Sequence, residues 1–235
     1  TLSYSDPETG SHFWYPISSG AVKENGGYKV NKKASWTTSG GFADFYVVQT
    51  TSPDFTGYDD LSVFVIDGED VKSQPSTWDA LGLRGNQSGP IQVEDVSIPG
   101  DQIVGPEGDG AASNDESVDP WFLIGSSSVW NGIALGGIDI AKRQTTRKKH
   151  VDVGLRVADY PTIQDYVGEA VMDTNASRLF AFSVAQAMDE ATDHNTKRMA
   201  PGEFARANFL HWAWQIKFIA AKNTAHVVDK MLHAC

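Results

Sequence analysis

Acid–base work near neutral pH falls first to histidine, and this chain of 235 residues carries six. His12 lies in a polar stretch, TGSHF, where an imidazole can give or take a proton; a lone loop histidine is more often a solvated polar group. His150, His194, His211, His226 and His233 show no metal-ligand spacing, so no metal site is expected. Gly105, Gly108 and Gly110 could suggest a phosphate cradle, yet they follow no parallel strand of a crossover unit, which makes that signal weak. Arg84, inside the turn Gly82-Leu83-Arg84-Gly85, is expected to hold its loop to carbonyls or a carboxylate rather than to act in chemistry.

Three segments carry a resemblance. From Trp78 to Pro99 a Gly-Leu-Arg-Gly turn and a polar loop lead into an alternating strand closed by Asp95 and Pro99. LSYSDPETGSHF, from Leu2 to Phe13, combines a hydroxyl, an acid, a Pro, small residues, Gly and Ser. ASWTTSGGFADFYVV, from Ala34 to Val48, places a Trp, a Thr two residues later and paired glycines before another alternating strand. In this order they resemble the middle domain of the acyl-CoA dehydrogenase superfamily. The resemblance implies a flavin-handling oxidoreductase with FAD as cofactor, or FMN if the chain follows the monooxygenase branch. Its members run to nearly twice this length, beginning with a helical domain and carrying a catalytic Glu further on. The expectation is therefore an incomplete chain: 1–111 as the middle β-domain, 112–235 as part of a C-terminal helical bundle, the N-terminal helical domain absent, and no catalytic residue assigned.

The resemblance also implies a site. A flavin presents two apolar faces and one hydrogen-bonding edge, which a protein tunes with donors at the edge and flat groups nearby. The cofactor-contacting set is Tyr4, Ser5, Ser11, Trp36, Thr37 and Thr38. Ser5 stands where the family places a flavin-contacting hydroxyl, Thr38 where it places the one close to N5, and Trp36 matches the flanking aromatic. Singly, Trp36 and Thr38 would read as ordinary strand residues and Ser5 as a turn; together, with Gly40 and Gly41 allowing close backbone approach, they favour flavin contact. Ser11 and His12, the latter in place of the usual Asp, form the substrate-contacting pair. Departures fall in the second half. An Asp and an Arg near the nucleotide end of a CoA ligand become Ser127 and Trp130. An Arg that reaches a neighbouring subunit's flavin becomes His150, beside Lys148 and Lys149, and a His-Gln pair becomes Tyr160-Pro161. Such erosion points away from an ordinary fatty acyl-CoA.

Positioning such a rim requires strands. Short alternating runs at 28–30, 43–50, 61–66 and 91–98, separated by Gly, Pro, Asp and Ser, read as antiparallel strands covered on one face. After an acidic connector over 105–120, helical spacing takes over. Helices are predicted from about Trp121 to Lys148, from about Thr162 to His194 on Ile163, Val167, Val171, Leu179 and Phe182, and from near Pro201 to the end. The fold class is α+β: an antiparallel, barrel-like β-domain followed by an antiparallel helical bundle. No βαβ alternation supports a Rossmann reading. Met188, Phe180, Phe182, Trp212 and Trp214 are expected in the helical core.

Composition bounds the partners. A net charge of −11 disfavours nucleic acid, which needs clustered Lys and Arg; only 143–149 is locally basic. The single Cys235 allows no internal disulfide, and the triplets at Asn86 and Asn175 match a glycosylation acceptor only incidentally. No apolar run approaches the roughly 20 residues of a membrane span. The expected compartment is cytoplasm or mitochondrion rather than secretion. The expected partners are a small-molecule substrate, with an acyl-CoA as the candidate, and further copies of the chain, with Phe209, Trp212, Trp214 and Phe218 of the last helix as a candidate contact. Two other readings stay open: a flavin-dependent monooxygenase resembling dibenzothiophene monooxygenase, and a non-catalytic subunit that kept the fold.

Overall fold

The computed structural model describes residues 1–195, 198–199 and 206–235 of the chain. It divides into two compact units, Thr1–Asn114 and Asp115–Cys235.

The first unit is a 7-stranded sheet: β1 (Leu2–Ser3), β2 (Gly20–Glu24), β3 (Gly27–Thr37), β4 (Phe45–Thr51), β5 (Leu61–Asp67), β6 (Lys72–Ser73) and β7 (Gly89–Pro99). Strands run in the order β1-β4-β2-β3-β7-β6, and β5 pairs with β4 off this path. The four runs read from alternation all coincide with strands, but the purely antiparallel expectation is corrected. β1 pairs parallel with β4 through Leu2↔Val47 and Ser3↔Val48, and β2 meets β4 in parallel at Gly20↔Thr51. A parallel pair needs no local turn, so two-residue β1 left no signature in the chain. The core of this unit is built from Val30, Tyr46, Val48, Phe64, Ile66, Ile91 and Val93.

β3 is the strand that matters for the site, and its regular alternation is interrupted. Val30, Lys32 and Ala34 face inward, and strict alternation would next bury Trp36. Pairing with β7 instead slips between Ala34↔Ile91 and Thr37↔Gly89, with one extra residue on β3. This β-bulge reverses the phase: Trp36 is 64% exposed and Thr37 is 1% exposed.

The first unit ends on a short helix, α1 (Gly110–Ser113), and a π-helical turn over Asn114–Val118 follows; the second unit holds α2 (Asp119–Arg147), α3 (Pro161–Ala191) and α4 (Arg206–Ala234). The last helix's predicted start at Pro201 lies outside the described residues. α3 runs antiparallel to α4, since Asn223 bonds to Thr174 while Lys230 lies over Tyr166. α2 runs parallel to α4, since Thr224 bonds to Trp130 while Gly137 approaches Val228 and Met231.

Which faces these helices bury differs from the sequence expectation. α3 buries Ala170, Thr174, Ser177, Ala181, Val184 and Met188. Val171, Leu179 and Phe182 of the predicted stripe are exposed, as are Trp212 and Trp214. Met188 is in the core and Phe180 packs against it. Small side chains let helices approach closely, so the Ala, Ser and Thr face forms the seam and the bulky residues stay outside.

Candidate functional site

The site grows from the way the opening segment is stitched to the end of β3. Asp6 and Gly10 close a tight turn, with Gly10 N donating to Asp6 O at 2.7 Å and Gly10 at φ 61°. The buried Asp6 carboxylate accepts from Glu8 N at 3.2 Å, Ser18 N at 3.1 Å and Ser19 Oγ at 3.2 Å. Burial, then the neighbouring Glu8 carboxyl, raises its pKa, while the two backbone amides and the Lys32 charge oppose the rise. Glu8 is shifted the other way, chiefly by its bond to Asp6.

Three side chains then join this segment to β3. Ser3 Oγ and Thr37 Oγ1 are 3.0 Å apart in the interior, Ser5 Oγ donates to Trp36 O at 3.3 Å, and Lys32 Nζ donates to Tyr4 O at 3.2 Å. Desolvation lowers the Lys32 pKa to about 8, and the Asp6 charge resists that fall.

Beyond β3 the chain turns through Ser39 and the glycine pair against the loop before β7. Ser39 N donates to Asn86 O at 3.1 Å and Gly40 N to Gln87 O at 2.9 Å. A side chain on Gly40 would press on the carbonyls of Gly89 and Thr37, 3.1 Å away, and Gly41 sits at φ 85° against Ser73. Asn86 Nδ2 donates to Thr38 Oγ1 at 3.3 Å, and Ser88 Oγ lies 3.4 Å from the same hydroxyl. Trp36 meets Trp78 edge to face, centroids 5.8 Å apart, and Trp78 Nε1 donates to Leu83 O at 3.2 Å. Arg84 Nε donates to Ala80 O at 3.2 Å, the loop-holding part expected of it.

The fold thus brings Ser5, Trp36 and Thr38 together on one exposed rim. Tyr4 is directly before Ser5, with its carbonyl turned to Lys32. Thr37 points the opposite way from Trp36 and Thr38, its side chain engaged with Ser3. Ser11 and His12 lie on an exposed turn, where the His12 ring stacks on Trp14 at 4.9 Å. Among the described residues no group of three or more His, Cys, Asp or Glu could hold a metal ion. In the second unit Ser127 is buried, its hydroxyl donating to Ile124 O at 2.8 Å, while His150 is exposed in a turn with its N–H on Leu155 O at 2.8 Å. Asn86, Ser88, Trp78 and the Asp6–Lys32 pair escaped the sequence reading. Trp78 and Asn86 share a loop with turn chemistry, a signal for a surface loop but not for its partner, and Lys32 looks like an ordinary polar strand residue.

An exposed indole flanked by hydroxyls, with a glycine pair beside it, could accept a flat heteroaromatic ligand. The indole would cover an apolar face, and hydroxyls and amides would meet a polar edge.

The comparisons with known proteins converge on one group. Residues 1–96 match the acyl-CoA dehydrogenase middle-domain model. The chain is 26% identical over 206 residues to cyclohex-1-ene-1-carbonyl-CoA dehydrogenase of Geobacter metallireducens, covering 87% of this chain and 52% of that protein. It is 24% identical over 201 residues to glutaryl-CoA dehydrogenase of Desulfococcus multivorans, covering 85% and 51%. The chain spans about half the length of the curated relatives it matches. In fold it is similar to a glutaryl-CoA dehydrogenase in complex with glutaryl-CoA, at TM-score 0.84 and 20% identity over 99% of this chain and 55% of that one. The flavin-bound TdsC from Paenibacillus is also similar, at TM-score 0.80 and 18% identity over 99% and 59%. By the middle-domain match, residues 1–96 belong to the acyl-CoA dehydrogenase superfamily, and over most of its length the chain is similar in sequence to members of it.

Proposed function

We propose that this chain is the flavin-contacting part of an FAD-dependent oxidoreductase that acts on an acyl-CoA thioester. The observation that carries this reading is the rim at the β3 bulge: an exposed Trp36 held beside Ser5 and Thr38, inside the region that matches the middle-domain model. Bound FAD supplies the hydride acceptor for α,β-dehydrogenation. The chain's own residues bind and orient. Trp36 offers its indole as a flat wall. Thr38 Oγ1 accepts from Asn86, and with Ser88 as the donor in their 3.4 Å contact its O–H turns toward the cofactor's edge. Ser5 gives its hydroxyl proton to Trp36 O, so its oxygen lone pairs and its amide remain for the ligand. Ser11 and His12 are the proposed substrate contacts. Relatives named for cyclohexenecarbonyl-CoA and glutaryl-CoA support the thioester class. Ser127, where an acid was expected from the resemblance, supplies neither charge nor a free hydroxyl, so the nucleotide end must be held otherwise.

Purified chain, denatured to release any cofactor and analysed by chromatography, should yield FAD; apoprotein titrated with FAD should quench flavin fluorescence. Weak, exchangeable FMN would move the assignment to the monooxygenase branch. A colourless preparation that FAD does not reconstitute would leave the non-catalytic subunit.

A further inference from the structure

Lysine is almost never fully buried unless it is paired, and Lys32 has no accessible surface at all. Its position follows from β3: alternation sends Val30, Lys32 and Ala34 to the same inner face. An apolar residue of similar volume would fill that site without the desolvation cost of an ammonium. The charge is kept where its donors are used. Lys32 Nζ holds the carbonyl of Tyr4, and Asp6, two residues on, supplies the counter-charge while collecting the 6–19 loop through Glu8, Ser18 and Ser19.

The Tyr4–Ser5 peptide is planar and trans, so its C=O and N–H point in opposite directions. A carbonyl drawn inward to Lys32 therefore turns the Ser5 amide away from it. The residues on either side are tied to the same strand, Ser3 to Thr37 and Ser5 to Trp36. We propose that Lys32 is a positioning residue: by holding the Tyr4 carbonyl inside the β-unit, it sets the orientation of Ser5 beside Trp36 and so shapes the rim that receives the flavin. This inference rests on the flavin reading above. Lys32 touches no ligand; it acts through one peptide group.

The test compares the wild-type chain with Lys32→Met and with Lys32→Met/Asp6→Asn, each titrated with FAD by fluorescence and melted by circular dichroism. Lys32→Met leaves Asp6 buried without its counter-charge, so it should melt lower and bind FAD about tenfold or more weakly. The double variant removes that charge as well. It should recover the melting temperature and not the affinity, because the Tyr4 carbonyl is still unheld. Recovery of both would reduce Lys32 to a neutraliser of Asp6 and overturn the inference, as would wild-type affinity in Lys32→Met. Should Lys32→Met fail to fold, the double variant decides by the same two measurements. Absence of FAD binding in the wild-type chain would instead overturn the flavin reading, taking this inference with it.

Discussion

Trp36 and Thr37 are neighbours in the chain and opposites in environment, so their substitutions separate ligand contact from stability. Trp36 is mostly in solvent and touches Trp78 by an edge. Trp36→Ala should change unfolding stability by no more than about 0.5 kcal/mol, while FAD affinity falls roughly three- to tenfold through the lost aromatic face. Thr37→Val keeps the shape and removes a buried hydroxyl that Ser3 needs. It should cost about 1–3 kcal/mol in urea unfolding and leave FAD affinity close to wild type. Equal loss of affinity in both would mean that the bulge does not separate the two faces as described. Gly41 is the third residue with a clear demand. Its φ of 85° and the nearness of Ser73 and Pro75 leave no room for a side chain, so Gly41→Ala should destabilise the unit by about 1–3 kcal/mol, read from the same unfolding curves.

At the scale of elements, the start of α2 carries an electrostatic conflict. An acid in a first helical turn ordinarily gains from the helix dipole and titrates low. Asp119 does the reverse: burial, then the Asp115 charge, raises its pKa to about 6 from 3.8, and Lys217 offsets this only in part. The folded state therefore holds the Asp119 proton more tightly than the unfolded chain. The stability from that protonated form is fully present below about pH 3.8 and is lost as pH rises through about 6, so the ionised carboxylate weighs on α2 at neutral pH. Asp119→Asn should remove this slope. Its urea midpoint should exceed the wild-type midpoint at pH 7 and converge with it toward pH 4; an unchanged difference across that range would refute the assignment.

At the scale of the molecule, the second unit seals its helices with small residues and leaves bulky ones outside. Phe122, Val129, Ile133 and Ile140 recur along one face of α2, and Trp214 and Phe218 stand exposed on α4 with Lys217 over both rings. Exposed apolar faces of this extent mark interaction surfaces. They support the proposal that copies of the chain associate through α4. Light scattering after gel filtration should give a mass above one chain at micromolar concentration, and Phe218→Glu should shift it toward the monomer. A monomeric wild type would remove that proposal.

How much of this could be read from the residues alone differs by level. Alternation marked most of the sheet because a strand with one covered face imposes a period of two, and the three long helices followed from their own spacing. The candidates from Ser5 to Thr38 were legible through the resemblance of their local order to the middle-domain segments, since short motifs of hydroxyls, an indole and glycines need no long-range contact to be seen. Tertiary structure decided what local periodicity cannot carry. The parallel pairing of β1 joins residues more than forty positions apart. The bulge that exposes Trp36 and buries Thr37 exists only as a mismatch between β3 and β7. The burial of Lys32 beneath Tyr4 depends on a segment of chain laid across that strand. In the helices, hydrophobicity named the apolar residues, yet close contact between backbones chose the small ones for the seam, since the depth of a helix contact is set by the partner helix and not by the stripe on either one.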